Sequence, residues 1–525
     1  EDPAAAGGDA APPPPAAPAA AAEERSAAVA EATPEAPSPV AVSAAAGSVP
    51  VVTSVPAEQA APAMVMADQG MTTQVVEGLR APDLGVRPTP DPAQLQGGMQ
   101  AARRRFGASA GPPSPGEGAR AGRLEADPWL LAAVASGGAT DLLGEALPPG
   151  FNRGAYNPAV LHVRFTPADG KTVSKQADAF LDLTLIPPSG PVEGRRVEVA
   201  SQEFGSLLRQ LYAQLARQDP PDIGSPTSPS RRLHQLLIGG ISPLLERHRI
   251  TSLLIAADRG LQAVPFAALS DGTRYFGDRY AFSLTPSLAL TDLSLSDGGG
   301  DRLLALGVSR FEGLAPLPLV PQELDRVGVP ARKDRYLDRE FTPSTLLETA
   351  ADPRYSAVHV ATHAEFKPGG PAKSQLFSGA GPITMDQLAG LRRRRQGTPL
   401  DLIVFSACRT ALGDPDSELG FAGLALQAGA RSAIGTLWYV DDVVTSAFFV
   451  QMYRYLGQNI PKAEALQLTR QAFIRGLVHL QGSDVLGPDG SVLLSDLSPS
   501  QQRRVATGLA NPFFWAGIEL LGSPW

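Results

Sequence analysis

The chain has 525 residues, a formal charge of −8 and a pI near 5.4. It therefore lacks the global positive field that draws in nucleic acid or an anionic lipid surface, and neither is expected as a partner. No apolar run reaches the ~20 residues that cross a bilayer, and the single cysteine excludes an internal disulfide.

Residues 1–125 are dominated by Ala, Pro, Gly and Ser, with Phe106 as their one aromatic residue. Such composition buries too little apolar surface to offset the entropy of ordering, so a disordered tail or linker is expected there. The chain starts at Glu1 rather than Met, which suits a processed precursor. A functional thiol fares best in a reducing compartment, so a cytoplasmic location is expected, with a secreted or periplasmic one as the alternative. Two arginine runs, Arg103 to Arg105 and Arg392 to Arg395, read as solvated surface or a processing site rather than a phosphate patch, because no aromatic residues interleave them.

Order is expected from about residue 150. "AVLHVRF" (159–165) and "AFLDLTLIP" (179–187) have strand length and pattern, and polar turn residues separate them. Helices are predicted over 201–218 and 230–248, where apolar residues recur at three- and four-residue spacing behind a serine N-cap. From residue 251 short continuous apolar runs alternate with amphipathic segments, the signature of an α/β sheet whose strands are buried on both faces. Strands are placed at 251–257, 302–308, 356–362, 401–407 and 432–438, and covering helices at 445–457 and 461–477. No internal repeat is visible, which excludes a solenoid.

In an open parallel sheet reactive groups gather at the carboxyl ends of strands. His363 follows the run "SAVHVAT" and Cys408 follows "DLIVFSA", so pairing of those two strands would set imidazole beside thiol. A thiol near its ordinary pKa of about 8.5 is mostly protonated at neutral pH, and a neighbouring imidazole remedies this by holding the thiolate and then protonating the leaving amine. The oxyanion would take the backbone N–H of Cys408 and that of Ala364 or Glu365. Taken alone, Cys408 fits a small buried hydrophobe. His359 lies within its strand and fits a packed core histidine, and it is the second choice of base. His162, His234, His248 and His479 are scattered, and no spacing suggests a metal site or any other cofactor. "GGPAKS" (369–374) lacks the ending of a phosphate loop, and no G-x-S-x-G elbow exists.

The stretches "VHVATHAEF", "LIVFSACRTALGD", "ELGFAGLALQAGARSAIGTLWYVDD" and "NPFFWAGIELLGSPW" resemble the CHAT domain, a caspase-like family of clan CD cysteine peptidases related to separase. "TSLLIAADRGLQAVPFAAL", "YAFSLTPSLALTD" and "LAPLPLVPQELDRVG" resemble its front half. The resemblance spans about residues 150–525, divided into a front half (150–300) and a peptidase-like core (301–525). It implies a caspase-hemoglobinase α/β fold with a mostly parallel sheet flanked by helices, and it carries His363 and Cys408 over as the dyad. Many members have glycine where Ala364 stands, and alanine still offers its N–H. The motifs and the composition resemble cyanobacterial members. No tetratricopeptide repeat is recognisable in residues 1–150, so the regulation common in this family would come from elsewhere, with a regulatory protein as the partner it implies.

The function so implied is a cysteine endopeptidase acting on protein or peptide substrates, and the alternative is a catalytically silent module used in signalling or scaffolding. Relatives in this clan commonly select the residue at the cleavage position with a charged pocket. Asp414, Asp416, Glu418, Asp441 and Asp442 crowd the loops after Cys408 and after the next strand, which suggests selection of Lys or Arg. Each could instead serve locally, Glu418 at a helix N-terminus and the others in solvated turns.

Overall fold

The structure, a computed structural model, describes residues 90–107, 149–168, 177–258, 260–295, 300–365, 373–407, 423, 425–426 and 428–525. Its frame is an eleven-stranded sheet. In chain order the strands are β1 (Pro158–Pro167), β2 (Ala179–Ile186), β3 (Glu193–Val199), β4 (Ser252–Ala257), β5 (Ala281–Thr285), β6 (Arg302–Gly307), β7 (Lys333–Leu337), β8 (Tyr355–Ala361), β9 (Leu400–Ser406), β10 (Ala430–Thr436) and β11 (Ile518–Gly522). Across the sheet they run β3-β2-β1-β4-β5-β11-β10-β9-β8-β6-β7. Pairing is antiparallel at β3–β2, β2–β1 and β11–β10 and parallel elsewhere.

The mostly parallel α/β sheet expected from the sequence is what the chain forms. Strands β4, β6, β8, β9 and β10 sit within two residues of their predicted positions, because a run buried on both faces leaves few other places for its side chains. Strands β3, β5, β7 and β11 lie outside the elements that the sequence predicts. β3 is a largely exposed edge strand, and three of its middle residues, Gly194, Arg195 and Arg196, carry no apolar signal. β11 runs against β10 with Ser432 opposite Gly522, whose φ of +86° only glycine adopts freely. A Cβ there would also lie 2.3 Å from the Arg431 carbonyl oxygen.

Helices cover both faces. The five used below are α1 (Pro92–Phe106), α2 (Ser201–Ala216), α3 (Val320–Arg326), α4 (Asp442–Leu456) and α5 (Lys462–Ile474). The single helix predicted over 230–248 is in fact two short helices around a π-helical turn, Gln235–Gly239. Gly239, Gly240 and Pro243 account for the interruption, since glycine and proline weaken a helix interior.

The composition of residues 1–125 predicts a tail, and α1 corrects that expectation for part of it. Asp91 caps the helix by accepting from the Ala93 N–H at 2.9 Å, and Pro92 occupies the favoured first position. Leu95, Met99, Ala102 and Phe106, at helical spacing, are buried in a cluster with Tyr156, Val160, Leu254 and Trp525. Burying a large apolar side chain is worth about 1.5–3 kcal/mol. Truncation to residue 90 is therefore expected to leave the melting temperature unchanged, while truncation to residue 149 lowers it by roughly 5–10 °C. Equal melting temperatures for the two would show that α1 contributes nothing.

Candidate functional site

The half of the sheet from β6 to β11 has the order 2-1-3-4-5-6 when numbered within itself, the doubly wound arrangement with a switch point between β6 and β8. Crevices form at such a point beyond the carboxyl ends of the strands. A cleft of about 440 Å³, counting its open mouth, lies there. Each of four neighbouring strands contributes from its carboxyl end: Leu317 from the loop after β6, His363 after β8, Ala407 after β9, and Tyr439 after β10. Helices α3 and α4 close the cleft through Glu323, Asp442 and Ser446.

His363 is two residues beyond β8 and is only partly buried. Its Nε2 donates to the Ala315 carbonyl at 2.8 Å, since a carbonyl can only accept. In the neutral ring this bond assigns the proton to Nε2 and leaves Nδ1 as the acceptor. Phe311 stacks obliquely on the imidazole with ring centroids 4.6 Å apart. The backbone is equally fixed. The Thr362 N–H donates to the Ser406 carbonyl at 3.3 Å, and the Phe377 N–H donates to the His363 carbonyl at 3.0 Å.

The last bond sets the phase of a small antiparallel ladder formed by Ala364–Glu365 and Gln375–Ser378. Bonded and non-bonded pairs alternate along such a ladder. With His363 and Phe377 bonded, Glu365 opposite Gln375 is the next bonded pair, and the N–H of the intervening Ala364 points away from the partner strand. Of the two oxyanion donors the sequence offered, Ala364 is thus the one that the ladder does not consume.

β8 and β9 are parallel neighbours with Ala361 opposite Ser406, which is the pairing that the placement of His363 and Cys408 required. The chain is described up to Ala407, whose carbonyl accepts from the Thr436 hydroxyl at 2.9 Å. Cys408, Asp414, Asp416 and Glu418 lie outside the described residues.

The two remaining acidic candidates have different roles. Asp441 caps α4 by accepting from the Val443 N–H at 2.9 Å and pairs with Arg504 Nε at 2.6 Å. Asp442 pairs with the same guanidinium through Oδ1, and its Oδ2 is buried with no hydrogen-bond partner. Asp442 lines the cleft with His363, and Asp441 does not. Burial, and secondarily the charge of Asp441, push the Asp442 carboxyl up to about 6.

His359 is fully buried in β8 and bonds to Glu323, the packed role that its position within the strand suggested. The other described histidines are remote. His248 bonds to Glu193 at 2.7 Å, His162 lies 3.8 Å from Asp258, and burial lowers the buried His234 to about 4. Among the described residues no group of His, Cys, Asp and Glu is arranged to hold a metal ion, and no helix is long and apolar enough to cross a membrane. Sequence reasoning missed Ala315, Glu323, Thr436 and Arg504. The first acts through a backbone carbonyl, which has no residue signature, and the others reach the site from distant parts of the chain.

The family model of the CHAT domain matches residues 227–523, more than half of the chain. The chain belongs to the CHAT domain family. No curated protein matches it in sequence. Among solved structures it is similar to the Saccharomyces cerevisiae separase–securin complex, with 10% identity and a TM-score of 0.42 over 70% of this chain and 30% of that one. It is also similar to the Arg-specific cysteine proteinase gingipain R, with 10% identity and a TM-score of 0.35 over 55% of this chain and 68% of that one. The complex of Porphyromonas gingivalis RgpB pro- and mature domains gives 9% identity and a TM-score of 0.32, with 55% and 69% covered. The chain thus spans under a third of the length of the separase chain it matches.

Proposed function

We propose that this protein is a cysteine endopeptidase in which Cys408 is the nucleophile and His363 the general base and acid. The observation that carries the reading is the fixed His363 ring, with Nε2 tied to Ala315 and Nδ1 left as acceptor, in a cleft whose adjoining wall is Ala407, the residue before Cys408. His363 takes the thiol proton at Nδ1, and the thiolate attacks the scissile carbonyl carbon. The imidazolium then returns the proton to the departing amine, leaving an acyl-enzyme that water hydrolyses. The N–H groups of Ala364 and Cys408 receive the oxyanion. The Ala315 carbonyl takes the part of the orienting group, since it fixes the tautomer and favours the imidazolium.

At the cleavage position the substrate carries Arg or Lys. Support comes from Asp442, a carboxylate in the cleft lining whose Oδ2 has no hydrogen-bond partner and would pair with a guanidinium or ammonium bound there. Its pH dependence follows from the raised pKa. The carboxyl is protonated below about 6 and charged above it, so kcat/KM for an arginyl peptide is expected to rise between pH 5 and 7 along a limb that a leucyl peptide lacks. In Asp442→Asn that limb should vanish, with arginyl cleavage falling roughly 10- to 100-fold while leucyl cleavage changes little. Fluorogenic peptides with Arg, Lys, Asp or Leu at that position decide the matter, and preference for Asp or Leu over both basic residues would contradict it.

A further inference from the structure

Behind the cleft lies a polar cluster that the dyad chemistry does not use. Glu323 on α3 is 2% exposed and accepts two hydrogen bonds, one from His359 Nε2 at 2.9 Å and one from Ser446 Oγ at 2.7 Å. The His359 ring is wedged edge-on against Phe449 and Tyr453, with centroids 5.6 and 5.5 Å away. Stripping a carboxylate of water is costly, and a well-packed apolar group of similar volume often serves stability as well or better. Stability alone is therefore a weak reason for Glu323 to be there.

Its connections suggest another. Glu323 joins three elements, and each carries a part of the site. β8 leads into His363, α4 begins at Asp442, and α3 continues directly from the loop that presents Ala315. That loop is braced at both ends, by the Leu317 N–H on the Ser309 carbonyl at 2.9 Å and by the Ser309 N–H on Asp338 Oδ1 at 2.7 Å. Its downstream end is also tied to α3, through the Val320 N–H on the Leu317 carbonyl at 3.2 Å. Glu323 and Ser446 also line the cleft themselves, so the bridge borders the space that His363 faces.

We propose that Glu323 is a positioning residue: by binding His359 and Ser446 together it locks α3 to β8 and α4 and holds the Ala315 carbonyl against His363 Nε2. The inference rests on the dyad reading above. Without the bridge α3 shifts, the Ala315–His363 bond lengthens, and the imidazole gains its other tautomer and freedom to turn. The base is then misaligned while the walls that contact substrate persist, so kcat falls more than KM rises. His359→Ala acts by the same route and is milder than His363→Ala.

The test is the rate of alkylation by iodoacetamide against pH in the full chain, read beside the melting temperature. Cys408 is the only cysteine, so labelling reports a single site. Only the thiolate reacts, and a well-placed imidazole raises its share at neutral pH. Wild type is expected to label fast at pH 7 in a manner lost in His363→Ala. Glu323→Gln, which keeps the volume, is expected to lose roughly ten- to a hundredfold of that rate and move toward the His363→Ala profile. If Glu323→Gln melts lower but keeps the wild-type profile, Glu323 is structural only and the positioning role is wrong, while the dyad stands. If wild type and His363→Ala share one profile, the dyad reading fails and takes this inference with it. Should Glu323→Gln not fold, Ser446→Ala removes one of the two bonds and is read the same way, with a wild-type profile overturning the proposal.

Discussion

Cys408→Ala and His363→Ala are each expected to lower kcat/KM on a cleavable peptide by about 10⁴-fold or more, equivalent to at least about 5.5 kcal/mol of transition-state stabilisation. The two act as one unit, so the double variant should be little worse than either single one. His363→Ala should not unfold the chain, since His363 is partly exposed and the two backbone bonds that hold its segment do not involve the ring, and Cys408→Ala removes a single sulfur atom. Far-UV circular dichroism and a melting curve recorded beside the kinetics separate lost chemistry from lost structure. Additive losses in the double variant would mean that the two residues work independently and that the paired mechanism is wrong.

The largest effect on stability is expected at Arg395. It closes a run of four arginines that the sequence suggests are all solvated, and the structure agrees for Arg392, Arg393 and Arg394, which are exposed. Arg395 is buried and donates to five carbonyls, those of Ala350, Asp352, Tyr355, Thr398 and Pro399, at 2.5 to 3.3 Å. Burial depresses its pKa and Asp352 opposes this, so the group stays charged throughout the physiological range. It clamps the start of β8 to the segment entering β9, the two strands whose far ends form the proposed dyad. Arg395→Met leaves those carbonyls without their donor in a dry site and is expected to cost about 3–5 kcal/mol. Arg393→Ala and Arg394→Ala should stay within about 0.5 kcal/mol. Urea denaturation of the three variants measures the contrast, and a loss at Arg395 no larger than at its neighbours would refute the clamp.

The contrast at Arg395 illustrates what could be read in the sequence. Strands β8 and β9 are legible because continuous apolar runs of that length fit one place, the middle of a parallel sheet. Their adjacency follows from topology, and it set His363 beside the segment that leads to Cys408. What stayed hidden depends on partners far away in the chain. Arg395 and Arg394 look alike until the fold surrounds one of them with carbonyls. β11 was obscured by Glu519, a carboxylate that is fully buried in the strand, where burial pushes it up to about 8 despite Arg470 nearby. In α1 four apolar residues at helical spacing, Leu95, Met99, Ala102 and Phe106, lie within a stretch whose composition predicts a tail, and only the surface they pack against makes them a buried face. The acidic candidates show the same limit, because Asp441 and Asp442 are neighbours in sequence and only the fold makes one a cap and turns the other to the cleft.

The central claim is that Cys408 cleaves peptide bonds in protein substrates with the help of His363. It is tested most directly by mapping new termini in a proteome digest treated in parallel with the wild-type protein and with Cys408→Ala. Termini are expected that are present with wild type, absent with Cys408→Ala, and enriched for Arg or Lys on the acyl side of the cut. Indistinguishable sets of termini from the two proteins would contradict the claim and leave the site as a cysteine–histidine arrangement without peptidase chemistry.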